Sequence, residues 1–582
     1  DAVSGAKKIQ LLGLDGVYTQ LQMENIPFLT GLESSFGLNS VPGTWVESIQ
    51  ITKGTGSVVN GYESMAGLIN VEFRKPTTMQ RAFVNGYASS LGRAELNVHG
   101  GQIINDKWST GTFAHVSTLQ SEWDRNKDGF RDAPLNKSGA FMNRWEYSGK
   151  KFETRFGVNA YYDQRLGGQL YGVANRYRAE TTNQHAEFFA KTGFLFPNKP
   201  YQSLGIVYQF KYHQSDGLYG LRNFGGRELR GYVNAIFDGI IGNTAHKYKV
   251  GLSAVGQDLR QHIDSADFNR NVITPGAFFE YTYTGTRLVL VAGMRADYQT
   301  AFSDQKEKFQ YSPRIHAKYT LDEFTDIRVT TGKSWRLPTV VMDNSSLLAT
   351  SKTWVVNSSN EQEEVWNSGI SVIRTMRLWN RAASISADFY HARFTKQFII
   401  DREQSTDSIF FGFQQNVSRS STFQTELSFM PWKTITFRVA YKFLEVKANY
   451  AGSLRQQVMI PQHRGLFNVA FASRNKKWEL DGTISVYSPM RLPDVNLPDG
   501  TRLTNERSKV VPVGLAQITR HYKQWDFYVG GENLFNFKQK NPIISAENPY
   551  DPTFDATRVW ASVMGTVVYA GFRYEIKRKT QK

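Results

Sequence analysis

The chain has 582 residues, a formal charge of +17, a mean hydropathy of −0.43 and no cysteine. Without cysteine it can build no disulfide framework, no thiolate zinc site and no cysteine nucleophile. No run of ~18 apolar residues occurs, which excludes a transmembrane helix but not a transmembrane strand, for which about 10 residues suffice and every second one faces a polar lumen. The basic residues are spread along strands and loops rather than gathered in a block. The charge therefore does not single out nucleic acid, and a phosphate-rich membrane surface is an equally good neighbour.

The chain opens on Asp1-Ala2-Val3-Ser4, which is no charged n-region followed by an apolar h-region. The reading is that the chain as given begins past its native start. Ile9 to Gly16 leads into an extended stretch, Val17 to Leu21, and then a turn, Glu24-Asn25-Ile26-Pro27. Leu29 to Pro42 reads as a loop facing an external mouth. From Trp45 to Pro76 a strand alternates through Val46, Ser48, Gln50 and Thr52 against Glu47, Ile49 and Ile51. It breaks at a loop holding Gly54, Gly56 and Gly61, and resumes over Leu68–Phe73. Glycine turns tightly at positive φ, so strand, turn, strand is the local expectation. The loop is neither a dinucleotide fingerprint nor a Walker loop, since no Lys-Ser/Thr follows its last glycine.

After Pro76 the pattern becomes repeated two-residue alternation in runs of about 10 residues. In Leu204–His213, Leu204, Ile206, Tyr208, Phe210 and Tyr212 share one face and Gly205, Gln209, Lys211 and His213 the other. Thr434–Phe443, Trp478–Tyr487, Trp525–Glu532 and the final run Val568–Ile576 behave alike. One face suits hydrocarbon and the other a wet or plugged lumen. A soluble β-sandwich is disfavoured by the number of runs. Counting runs gives about 22 strands, an even number that returns the chain to its starting side. Short turns fall at Asn105–Lys107, Ser148–Lys150, Phe196–Tyr201 and Asn475–Lys477, and Trp108, Trp478 and Trp525 follow such turns, as an interfacial girdle requires. Long connectors, Leu119–Lys137, Asp163–His185, Leu337–Glu363 and Phe535–Gly565, lie at the opposite ends. Tyr569–Ile576 closes the barrel, followed by a basic tail, Lys577–Lys582, expected to fray.

The sharpest small motif is Asp124, Asn126, Asp128, Phe130 and Asp132, spaced as D-x-N-x-D-G-x-x-D with Gly129 at the turn. That spacing suits a structural calcium, with the Phe130 carbonyl completing one side, although Leu135 stands where a bidentate glutamate belongs. A plain solvated turn is the competing reading. The ten histidines are dispersed without H-x-x-H spacing, and no hydrolase motif occurs. No enzyme activity and no required cofactor are expected.

Val46, Glu47, Ile49, Lys53, Gly54, Ser57, Gly61, Gly67, Ile69 and Asn70 match in order the plug-end pattern V-E-x-I-x-x-x-K-G-x-x-S-x-x-x-G-x-x-x-x-x-G-x-I-N. On this basis the chain resembles TonB-dependent outer-membrane receptors, most closely Bacteroidetes members. Gly332-Lys333-Ser334-Trp335-Arg336-Leu337-Pro338 is similar to the family's G-x-x-F-R-x-P element, and Gly531 to Asn536 to its E-N-L-F-D/N element. Leu12 replaces the arginine of the family's I-R-G element, so the resemblance implies that the usual plug–barrel ionic cluster is absent or altered here.

The resemblance implies an all-β fold: a 22-stranded antiparallel transmembrane barrel (residues 77–582) with the C-terminal part of a plug (residues 1–76) in its lumen, the N-terminal half of the plug missing. It implies a receptor in the bacterial outer membrane for active uptake of a scarce nutrient, a ferric siderophore or copper complex foremost. Expected partners are the TonB–ExbB–ExbD complex, reached through a missing N-terminal TonB box, outer-membrane lipid and lipopolysaccharide, but no nucleic acid. Glu24, Asn25 and Phe28 at the plug apex, and Glu547, Asn548 and Tyr550 in a loop, are the expected ligand-facing residues. The alternative function is a structural or assembly subunit that keeps the receptor fold.

Overall fold

The structure is a computed structural model and describes residues 5, 9–300, 308–358, 361–405, 407–414, 416–450 and 452–578. The leader expectation at Asp1–Ser4 and the last four residues of the basic tail lie outside the described residues.

Twenty-two long antiparallel strands close into a barrel. Each pairs with its sequence neighbour, and the last, Val567–Ile576, pairs with the first, Ala82–Ser89, in a register running from Tyr569↔Ser89 to Ile576↔Ala82. Closure leaves no wall edge unpaired, as a lipid-embedded sheet demands. The alternation sets the wall's two faces. Phe210 is 61% exposed, whereas its neighbours Gln209 and Lys211 are buried inward. Val439, Tyr441, Ile484, Val486, Phe527, Val529 and Val568 likewise turn outward. The apolar row thus lies outside, where a closed barrel meets hydrocarbon.

The strands are longer than the alternation alone predicts. They run from 8 residues in Ala82–Ser89 to 21 in Asn243–Ile263 and Arg381–Asp401. At about 3.3 Å per residue the longest reach ~70 Å, well past a hydrocarbon core that a tilted strand of ~10 residues already crosses. The excess extends on the long-loop side. The connector read as Asp163–His185 is in fact strand up to Gly168 and again from Arg178. Short turns and long loops otherwise alternate as expected. The Gly531–Asn536 element ends its strand at Glu532, where Asn533 and Asn536 adopt left-handed backbone and the Asn533 amide caps the Phe537 carbonyl at 2.8 Å.

Inside the bore lies a four-stranded sheet, β1 (Thr19–Met23), β2 (Ile26–Phe28), β3 (Val46–Lys53) and β4 (Gly67–Phe73), in the order β2-β1-β4-β3. Gly54 (φ +78°) and Gly61 (φ +109°) make the turns between β3 and β4 that a side-chained residue would strain. β1 and β4 are parallel, β3 and β4 antiparallel. Trp45, fully buried, packs edge-on to Phe73 and against the wall's Phe113, with Met23, Ile26 and Phe28 in the same cluster.

Candidate functional site

Sheet direction decides where the plug residues lie. β4 runs on into the first barrel strand, so it ends on the short-turn side. β1, parallel to it, ends there too. The β1–β2 hairpin turn, Glu24 and Asn25 both at positive φ, therefore points to the short-turn side and not to the mouth. Glu24 is 4% exposed, and its carboxylate takes both guanidinium nitrogens of Arg144, one at 3.0 Å. Lys191 donates to the Glu24 carbonyl at 2.6 Å. Arg144 and Lys191 sit toward the turn ends of Leu135–Ser148 and Arg178–Leu195. Phe28 is buried in the plug core and Asn25 is exposed. The expectation of Glu24, Asn25 and Phe28 at the apex is corrected: a parallel pairing across 48 residues sets the direction of this hairpin, Thr19 facing Gly67.

The apex is instead the pair of 3₁₀ turns Gly31–Ser34 and Gly37–Ser40, within the stretch read as facing the mouth. Glu33 there is fully buried and paired with Lys211 at 3.1 Å, while Lys211 also reaches Thr30 Oγ1 at 2.8 Å. The Leu32 amide donates to Glu228 at 2.9 Å. Over this apex the long loops close. Leu32 and Phe36 join Phe130, Tyr177, Val341 and Phe554 in one buried cluster drawn from several loops. Outside that seal, Glu547, Asn548 and Tyr550 are exposed, and the Tyr550 hydroxyl reaches the Arg176 carbonyl at 3.3 Å. Arg176 lies 4.2 Å over the Tyr171 ring. The two predicted ligand groups thus stand at opposite ends of the molecule.

Further tethers run round the bore. Lys53 pairs with Asp388 at 2.5 Å, Ser57 donates to Glu280 at 2.6 Å and Glu63 meets Arg230 at 3.5 Å. The family-like segment around Trp335-Arg336 supplies the most elaborate one. Arg336 donates to Glu363 at 2.7 Å and to the Val17 carbonyl at 3.0 Å, pairs with Asp343, and Tyr18 donates to Glu363 at 2.7 Å. Burial, reinforced by Glu363, pushes the Tyr18 phenol well above its ordinary value, so it remains a donor. Trp335 stacks on Tyr62 with centroids 3.9 Å apart. Leu12 is buried, and its carbonyl accepts from Ser420 and Thr422, each at 2.9 Å. Glu24–Arg144 is therefore a plug–barrel ion pair built from other residues, while the wall pair Arg336–Glu363 holds the plug through the Val17 carbonyl and the Tyr18 hydroxyl. The sequence flagged Arg336's motif without its role. A cavity of about 90 Å³ remains between plug, wall and the loop at Thr339, lined by Val17, Gln20, Glu63, Arg230, Arg270 and Arg336.

The Asp124–Asp132 loop forms a tight turn held by its own carboxylates. Asp124 accepts from the amides of Asp128 (3.1 Å) and Gly129 (2.9 Å), Asp128 from Phe130 (2.9 Å) and Asp132 from Arg125 (2.8 Å). Phe130 turns its ring into the loop seal. Among the described residues no group of three or more His, Asp or Glu stands close enough to hold a metal ion. The three aspartates are thus engaged with the loop's own amides, and the Asn126 side chain donates to Asp128 at 2.7 Å. Burial raises Asp128 and pushes Asp132 up to about 6.

A closed transmembrane barrel, sealed by loops and stoppered by an internal sheet, defines an outer-membrane receptor of the plugged type. The description "TonB dependent receptor-like, beta-barrel" matches residues 96–534, and the chain belongs to that family. Among solved structures it is similar to the siderophore receptor PirA from Acinetobacter baumannii (11% identity, 97% of this chain and 91% of that one, TM-score 0.75). It is similar also to the ferric enterobactin receptor PfeA from Pseudomonas aeruginosa, solved with enterobactin (10%, 98% and 96%, 0.76), and to the copper transporter OprC (12%, 98% and 94%, 0.73). At such identities the likeness is one of fold. No curated protein matches.

Proposed function

We propose that the chain is a TonB-dependent transporter of the Bacteroidetes type that takes up a scarce metal complex, a ferric siderophore or a copper complex, with energy relayed by TonB–ExbB–ExbD. The observation that carries the reading is the double closure of the bore: loops buried on the plug apex, and a plug tied to the wall by the buried ion pairs Glu24–Arg144 and Glu33–Lys211. Such a bore conducts nothing until loops part and tethers break, so transport needs a pull from the inner side. Ligand first meets the exposed loop surface around Tyr171, Arg176, Asn548 and Tyr550, where aromatic faces and a guanidinium suit an anionic, ring-bearing chelate. Siderophore and copper neighbours support the substrate class.

The reading includes further plug sequence upstream of Asp1. β3 is an edge strand, with Ile49 and Ile51 58% and 59% exposed. Among the described residues that edge has no partner strand, and both it and the apolar face beside it call for cover. Uptake of radiolabelled iron siderophores and of copper by a deletion strain, with and without the restored gene and with and without TonB, tests the function. Uptake of neither metal, or uptake indifferent to TonB, rejects it.

A further inference from the structure

The positive charge is spread in sequence but segregated in space. Ten short turns close one end of the barrel, the end where the plug joins the wall. Together they hold ten Lys or Arg against two Asp or Glu, while the long loops of the other end carry nearly balanced charge. Lys150, Lys151, Arg287, Arg474, Lys476 and Lys477 are all exposed there. Short turns lie on the periplasmic side of outer-membrane barrels.

These charges are interleaved with a belt of outward aromatic rings. Lys477 precedes Trp478, Lys433 follows Trp432, and Lys151 precedes Phe152; the three rings are 46%, 58% and 39% exposed. Arg520 lies 4.7 Å over the Trp478 ring and Lys523 5.5 Å from that of Tyr522. Amphipathic rings settle at the boundary of hydrocarbon and headgroup. A Lys or Arg one residue from such a ring, on the turn side, stands at the level of lipid phosphates.

We propose that this periplasmic rim is a binding collar for anionic phospholipid of the inner leaflet, and that the barrel selects such lipid around itself. The aromatic interleaving favours a lipid surface over a soluble acidic partner, which has no need of rings at the oil boundary. Attraction of this kind decays within a Debye length, ~8 Å at physiological salt, so only lipid against the wall is chosen.

The test uses the full chain in detergent micelles, titrated with phosphatidylglycerol or phosphatidylcholine, bound lipid being counted by native mass spectrometry. Retention of barrel closure in each variant is verified by heat-modifiable gel mobility. Phosphatidylglycerol is expected to bind at least about tenfold more tightly, with the preference shrinking at high salt. The triple variant R474Q/K476Q/K477Q is expected to weaken phosphatidylglycerol about a hundredfold at that turn. The charge-keeping K476R/K477R retains binding, and the loop-side R507Q/K509Q leaves it unchanged. Equal binding of the two lipids overturns the proposal, as does loss that follows the loop-side variant. So does binding of polyglutamate at these turns without a lipid preference, which assigns them to an acidic protein instead.

Discussion

Replacing Arg144 by Met strips the partner from a carboxylate that has almost no water. Glu24 is 4% exposed and Arg144 1%, the two joined through both guanidinium nitrogens. Removing one member of such a pair typically costs about 3–5 kcal/mol, because the other is left charged and buried. Lys191, already on the Glu24 carbonyl at 2.6 Å, is near enough to offset part of this, so about 3 kcal/mol is expected. Glu24→Gln is milder, about 1–2 kcal/mol, since Arg144 keeps Glu146 at 3.8 Å as a countercharge. The double variant R144M/E24L removes both charges and recovers much of the loss. The wall keeps its own ladder bonds, so the cost falls on the plug. Amide exchange at Ile26 and Phe28 reports it, and 3 kcal/mol corresponds to more than a hundredfold faster exchange in R144M. Equal rates in R144M and E24Q, or a double variant worse than R144M alone, refute the reasoning.

Trp335→Ala deletes a fully buried ring stacked on Tyr62 and is expected to lower the urea stability of the plug by about 3–5 kcal/mol, with W335F costing less. Phe554→Ala loosens the loop seal over the plug apex; as the chain has no cysteine, a single S40C probe should react faster with a water-soluble maleimide in F554A than in the parent. Asp132 has its folded pKa raised to about 6, above the unfolded ~3.9, so it binds protons more readily when folded. Its contribution is full below about pH 4 and lost as pH rises through 6, so the 120–134 loop should resist protease better at pH 4 than at pH 7, and D132N should flatten that difference. The same loop should remain folded in EDTA, since its carboxylates already serve its amides, and chelator-induced cleavage would speak for calcium.

The wall was legible because two solvents write a period of two into each strand: Gln209 and Phe210 reveal their faces without any tertiary knowledge. Strand ends were not. Beyond the hydrocarbon both faces are wet, and in Gln214 to Gly217 the alternation fades although the strand continues to Tyr219. The plug strands and their Gly-rich turn were readable from Val46 to Phe73, whereas the direction of the Glu24 hairpin depends on a parallel pairing between distant segments. Arg336 was visible as part of a motif, but its partners Val17 and Glu363 come from separate parts of the chain. The basic collar was hidden for the same reason, its members lying at most three to a turn along some 400 residues, from Lys107 to Lys523.

The central claim is that the oily row of each strand faces lipid and the polar row faces a stoppered bore. Single-cysteine spin labels placed in turn from Ile206 to His213, in reconstituted bilayers, test it through their collisions with oxygen and with a water-soluble nickel chelate. Positions 206, 208, 210 and 212 should be oxygen-accessible and chelate-protected, and 209, 211 and 213 immobile and shielded from both. An inverted pattern, or one without a two-residue period, contradicts the account.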